Sequence, residues 1–130
     1  MKTSKSLFVG LALFLLPLLP AVFMVDKPPP DPFKKTVGDF AGQDVLWIDA
    51  RTRKEYEQKH IPHAVLLNGA EWEAGLARLF EVFDGTKPIV VYCGPGCTDS
   101  RSTAKRLRDE LGQEVFFLKG GMQAWFAQQK

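Results

Sequence analysis

The sequence predicts an α/β fold built on a parallel sheet, and three observations carry that reading. Four short apolar runs, Val45 to Asp49, Ala64 to Leu67, Ile89 to Tyr92 and Val115 to Leu118, are separated by stretches with helical spacing. The runs are rich in β-branched and aromatic residues with no strict in-and-out alternation, the pattern of strands covered on both faces. Strand and helix signals alternate from Thr36 onward without an internal repeat. Such an order gives parallel neighbours joined by right-handed crossovers.

The elements follow in chain order. Val45 to Asp49 reads V-L-W-I-D, a buried strand ending in a carboxylate, and Arg51, Arg53, Lys54, Glu55 and Tyr56 then open a short charged helix. His60, Ile61, Pro62 and His63 lead into the strand at Ala64. Trp72, Leu76, Leu79, Phe80 and Phe83 recur at helical spacing and predict one apolar face, which ends near Asp84 and Gly85. Ile89 to Tyr92 is the strongest strand, and Cys93 stands directly at its carboxyl end. A Gly/Pro loop follows, after which Thr98, Asp99 and Ser100 can each cap a helix. Ala104, Leu107 and Leu111 give that helix a buried face, and Gly112 supplies its stop. Val115 to Leu118, the pair Gly120 and Gly121, and a last helix bearing Met122, Trp125 and Phe126 complete the chain.

At 130 residues and a net charge of +2, the chain fits one small domain plus an appended segment, and no nucleic-acid partner is implied. Two cysteines are too few for a disulfide scaffold, and no His/Cys cluster has metal-ligand spacing, so neither a metal nor another cofactor is expected. Residues 1–25 form the appended segment, in which Lys2 and Lys5 precede an uncharged apolar run from Leu7 to Val25. At ~1.5 Å per residue that run reaches roughly 28 Å, close to the ~30 Å hydrocarbon core. It predicts a single membrane-spanning anchor through residues 7–25, with the domain on the extracytoplasmic (periplasmic) side by its lysine distribution. A cleaved signal peptide is the competing view, although Leu19 and Ala21 make a poor cleavage site. Residues 26–35 are a Pro-rich linker, D-K-P-P-P-D-P at its start, and residues 36–130 are the folded domain.

Chemistry concentrates at Cys93. In open α/β sheets, ligands bind in the crevice outside the carboxyl ends of the strands. A sulfur there faces loop N–H groups and the positive end of the next helix, both of which favour a thiolate over a thiol. A buried, inert cysteine is the plain alternative, but a purely structural turn rarely needs glycines on both sides of Pro95.

Four local patterns together resemble the rhodanese (sulfurtransferase) domain over roughly Thr36 to Phe126. They are Asp49-Ala50-Arg51, His60-Ile61-Pro62-His63-Ala64, Cys93 followed by Ser100 and Ala104, and Gly120-Gly121-Met122-Gln123-Ala124-Trp125. The resemblance implies a three-layer fold with a parallel sheet of four to five strands and helices on both faces. It implies that Cys93 takes a sulfane sulfur from a donor such as thiosulfate or polysulfide, holds it as a persulfide and passes it to a thiol or cyanide. Gly94, Pro95, Gly96, Cys97, Thr98, Asp99, Ser100 and Arg101 would then form the substrate loop, with Arg101 drawing in an anionic donor. Asp49, Arg51, His60, Gly120 and Gly121 would give structural support; His60 and His63 beside a proline suit a turn better than a base or metal pair.

This chain departs from the family pattern where Lys59 and His63 replace the usual glycines and where the cysteine loop is slightly longer. The longer loop carries a second thiol, Cys97, a candidate resolving group in C-G-P-G-C. Three rival readings follow. Cys93 and Cys97 could cycle between dithiol and disulfide. An enlarged cysteine loop also suits phosphatase or arsenate-reductase chemistry, although Arg101 stands late for the oxyanion-binding role. A module that only recognises a partner is the third. The sequence assigns no oligomeric state.

Overall fold

The computed structural model describes residues 26–95 and 97–130. Its strands are β1 (Lys34–Lys35), β2 (Leu46–Asp49), β3 (Val65–Leu66), β4 (Ile89–Tyr92) and β5 (Val115–Leu118). All neighbours run parallel, in the order β1-β5-β4-β2-β3. The helices are α1 (Arg53–Gln58), α2 (Trp72–Val82), α3 (Asp99–Leu111) and α4 (Gly121–Gln128), with 3-10 turns at Val37–Phe40 and Gly69–Glu71.

The most apolar run occupies the centre. All four residues of β4 are buried, and β2 and β5 flank it. Because successive strand residues face opposite sides, β4 divides its side chains between two cores. Ile89 and Val91 pack with Leu46, Ile48, Val115 and Phe117 beneath Leu79 of α2 and Ala104 and Leu107 of α3. Val90 and Tyr92 pack on the other side with Phe40, Ile61 and Leu118, where Tyr56 of α1 and Trp125 and Phe126 of α4 cover them. Helices therefore lie on both faces of a five-stranded parallel sheet, as expected. Local signals bound the helices: Thr52 caps α1 by accepting from the Glu55 amide, so that α1 starts at Arg53 and leaves Arg51 in the loop before it, and Gly112 stops α3 in the left-handed region at φ 66°, as its sequence position predicts.

Three features differ from the sequence expectation. Lys34–Lys35, inside the stretch read as linker, adds an edge strand to β5, so the sheet begins before Thr36. A two-residue lysine strand carries no apolar run to reveal it; its fixed point is the neighbouring Phe33, which packs against the first core and stacks under Arg108 at 3.7 Å. Phe80 was assigned to the buried face of α2 but is 56% exposed. At ~100° per residue it lies about 80° round the helix from Trp72, off the stripe that faces the sheet. Thr98 precedes α3 but makes no side-chain cap bond. The expected anchor from Leu7 to Val25 lies outside the described residues, and among those described no helix is long and apolar enough to cross a membrane.

If Phe33 fastens residues 31–35 to the domain, Phe33→Ala should cost about 1–3 kcal/mol, below the range for a fully buried Phe. Urea unfolding measures it. A midpoint equal to the parent's would place the segment outside the cooperative unit.

Candidate active site

The carboxyl edge of the sheet is ordered by one buried charge. Asp49 ends β2 opposite Tyr92 of β4, and its side chain is wholly inaccessible to solvent. Burying an unpaired carboxylate is prohibitive, so its oxygens must be filled with donors. Asp49 Oδ1 accepts from the Arg51 amide at 2.9 Å and Arg51 Nε at 3.0 Å, while Oδ2 accepts from Arg51 Nη2 and the Tyr92 hydroxyl, each at 2.8 Å. Arg51 Nη2 also donates to the Lys59 carbonyl, and the Arg51 carbonyl accepts from Asn68 Nδ2 at 2.8 Å. The Tyr92 oxygen in turn accepts from the Ile61 amide at 3.1 Å. Burial works against the Arg51 charge, yet its bonds to Asp49 outweigh burial and raise its pKa. Burial first, then the adjacent carboxylate, hold Tyr92 far above the ordinary phenol range, so its hydroxyl stays a donor.

This network fixes the residue before Cys93, and a second contact fixes Cys93 itself. The Cys93 carbonyl accepts from the Met122 amide in the first turn of α4 at 2.9 Å. That approach requires glycine at 121. Its φ is 62°, and a Cβ there would stand 2.4 Å from the Cys93 carbonyl oxygen. Gly120 is also left-handed, at φ 82°. The Cys93 side chain is 2% exposed, and its thiol lies 3.6 Å from the Gly94 carbonyl.

The loop beyond Cys93 turns through a Cys97 amide to Gly94 carbonyl bond of 3.3 Å; Gly96 lies outside the described residues. In place of a hydroxyl cap, the Cys97 sulfur accepts from the Asp99 amide at 3.3 Å. Burial, followed by a hydrogen bond to the Cys93 side chain, pushes the Cys97 thiol up to about 11 against the opposing Asp99 amide. The sequence-derived loop residues therefore divide. Cys93, Gly94, Pro95 and Cys97 sit together over α3, and Ser100 is buried in its first turn. Arg101 is 70% exposed and pairs with Asp31 at 3.1 Å. His60 donates to the Tyr56 carbonyl through Nδ1 at 2.7 Å and stacks on the Tyr56 ring.

Two cavities border Cys97. One of about 900 Å³ lies between residues 50–55 and 68–72 on one side and Gly94, Pro95, Cys97 and α3 on the other. Its guanidinium groups are matched by carboxylates: Arg51 with Asp49, Arg53 with Glu71, Arg106 with Glu110. The other, of about 680 Å³, is lined by Lys34, Lys35, Arg101 and Lys119 against the single carboxylate of Asp31, and it suits an anion. Cys97 borders both, and Cys93 borders neither. Among the described residues, no group of three or more His, Cys, Asp or Glu could hold a metal ion.

The model of the rhodanese-like domain matches residues 31–128. The chain belongs to the rhodanese-like family. It is 35% identical over 85 residues to the thiosulfate sulfurtransferase GlpE of Coxiella burnetii, spanning 65% of this chain and 75% of that protein. The GlpE of Pseudomonas syringae pv. syringae is 30% identical over 83 residues, spanning 64% and 74%. An HTH-type transcriptional regulator, Rv0324 of Mycobacterium tuberculosis, is 34% identical over 82 residues but matches over only 34% of its own length. Among solved structures, the BH2092 protein of Bacillus halodurans superposes with a TM-score of 0.58 at 23% identity, covering 75% of this chain and 73% of that one, and supports the fold.

The rhodanese-like match begins at Asp31, ahead of the boundary drawn at Thr36 and in step with the edge strand. Two supporting side chains were missed in the sequence. Tyr92 was read only as a strand residue, since nothing in an apolar run advertises a hydroxyl aimed at a carboxylate. Asn68 was passed over although Asn before Gly-Ala-Glu is a helix-cap signal; its Oδ1 accepts from the Glu71 amide at 2.8 Å.

Asp49→Asn should cost about 3–5 kcal/mol, because it leaves the buried guanidinium of Arg51 unpaired. Tyr92→Phe should cost less, about 1–2 kcal/mol. Thermal and urea unfolding of both variants test the order, and an Asp49→Asn protein as stable as the parent would remove Asp49 from the centre of the site.

Proposed function

We propose that this rhodanese-like protein is a sulfurtransferase in which Cys93 carries a sulfane sulfur from a donor such as thiosulfate or polysulfide to a thiol or cyanide acceptor. The observation that carries the reading is the position of Cys93. It ends the central strand, its backbone is held by Tyr92 on one side and by Met122 on the other, and its loop runs into the first turn of α3. The Cys93 sulfur attacks the outer sulfur of thiosulfate, a new S–S bond forms as the old one breaks, and sulfite leaves with the electron pair. The persulfide anion left behind meets the N-terminal end of α3, whose dipole stabilises negative charge. A thiolate or cyanide then attacks the outer sulfur and returns Cys93 as thiolate. No cofactor takes part in either displacement.

Arg101 serves such a site from its edge. It lines the lysine-rich cavity beside Cys97, where an anionic donor would be attracted, but its partner is Asp31. That placement weighs against phosphatase or arsenate-reductase chemistry, which needs an arginine around the bound oxyanion. The domain is further read as tethered by residues 7–25 on the extracytoplasmic face of a membrane, on the strength of the uncharged run from Leu7 to Val25.

Cys93→Ser should abolish thiosulfate-to-cyanide transfer and leave the melting temperature within a few degrees of the parent, since one small side chain is exchanged. Retained turnover in Cys93→Ser would show that another group is the nucleophile. For the tether, the full chain should sediment with membranes and resist salt extraction, whereas a chain beginning at Asp26 should stay in the supernatant. Recovery of a mature protein starting just after Ala21 would establish cleavage instead.

A further inference from the structure

Direct delivery from Cys93 to an acceptor leaves an obstacle in place. Cys93 is 2% exposed and borders neither cavity, whereas Cys97 borders both. Cys97 is partly exposed, and its sulfur accepts from the Asp99 amide at 3.3 Å. Neither cysteine is engaged in a disulfide. A persulfide lengthens the Cys93 side chain by one S–S bond of about 2.05 Å. Cys93 Sγ and the Cys97 amide both donate to the Gly94 carbonyl, at 3.6 and 3.3 Å, so the loop folds the second cysteine back toward the first and within reach of the added sulfur.

We propose that Cys97 is a second sulfur carrier, taking the sulfane sulfur from Cys93 and presenting it to a thiol acceptor in the larger cavity. The inference rests on the sulfurtransferase reading of Cys93. The Cys97 sulfur attacks the outer sulfur of the Cys93 persulfide, and the bond from that sulfur to Cys93 breaks. The Cys97 proton passes to the departing Cys93 sulfur. One S–S bond forms for one broken, giving a Cys97 persulfide anion and a Cys93 thiol. Sulfur is neither oxidised nor reduced, so no external reductant enters. The Asp99 N–H, already directed at Cys97 Sγ, then offsets charge on the new persulfide. Burial keeps the Cys97 thiol protonated at neutral pH, so the proton the leaving sulfur needs is present.

The test uses the full chain treated with thiosulfate and alkylated, with tandem mass spectrometry locating the added sulfur within the peptide that holds both cysteines. In the parent, the label should occur on Cys97 as well as on Cys93. In Cys97→Ser and Cys97→Ala, each checked for a native melting curve, it should be confined to Cys93. Discharge to glutathione, measured relative to discharge to cyanide, should fall about tenfold, equivalent to ~1.4 kcal/mol in the barrier. Label never found on Cys97, with that ratio unchanged in both variants, overturns the relay. Sulfide release with a Cys93 to Cys97 disulfide as product also overturns it, since Cys97 would then be a resolving thiol. Label on neither cysteine would instead remove the sulfurtransferase reading, and the relay with it.

Discussion

The buried carboxylate of Asp49 is the constraint on which the rest of the active edge depends. A charge placed between two strand ends must be satisfied from every side, and the donors that do so come from separate parts of the chain: the Arg51 backbone and guanidinium, and the hydroxyl of Tyr92. Through Arg51 the same charge reaches the Lys59 carbonyl and Asn68, and through Tyr92 it reaches the amide of Ile61. The loops after β2 and β3 and the His60-Ile61-Pro62 turn are thereby tied to the strand that carries Cys93. Asp49 makes none of these bonds to a sulfur. Its effect on Cys93 is positional, and it operates through the covalent link between Tyr92 and Cys93.

Tying the strand from one side would leave the Cys93 carbonyl free to swing, and α4 removes that freedom. Its first turn presents the Met122 amide, and the missing Cβ of Gly121 lets the helix end come within bonding distance. A side chain at 121 would have to occupy space already filled by the Cys93 carbonyl, so Gly121 is required by contact as well as by φ. With its own position held twice, Cys93 can be followed by a loop whose length and sulfur content vary without moving it. That separation accounts for a family-type anchor coexisting with an unusual C-G-P-G-C loop.

How much of this was legible in the sequence depended on whether the decisive group was a side-chain type or a contact. Strands β2 to β5 were readable because each is an apolar run in a fully covered sheet. Strand β1 was not, because two lysines at a sheet edge look like spacer; its only apolar signal was Phe33, outside the strand. Cys93, Asp49, Arg51 and the glycine pair were found as types at meaningful positions. The pairing of Arg101 with Asp31 was not, since it depends on how the segment before the sheet folds back on α3. His63 shows the intermediate case. Its replacement of a family glycine was visible, and the structure gives the physical content: it holds φ at 67°, where a non-glycine residue costs about 1–2 kcal/mol.

The same fold-back changes what the Pro-rich segment can do. Read as a free polyproline rod, residues 26–32 would carry the domain up to about 20 Å from their point of attachment at ~3.1 Å per residue. In the structure Pro28, Pro29 and Pro30 already border the lysine-rich cavity beside the cysteine loop, and Asp31 is joined to Arg101. The ion pair is largely exposed on the arginine side and contributes little by itself. Phe33, packed into the first core, is the stronger attachment, and it leaves only the residues before Asp31 to serve as spacer. Under the tethered reading, that shortens the reach to about 15 Å. It also brings the chain in at the edge that carries Cys93, so the tether would set both the distance and the facing of the cysteine loop relative to the membrane.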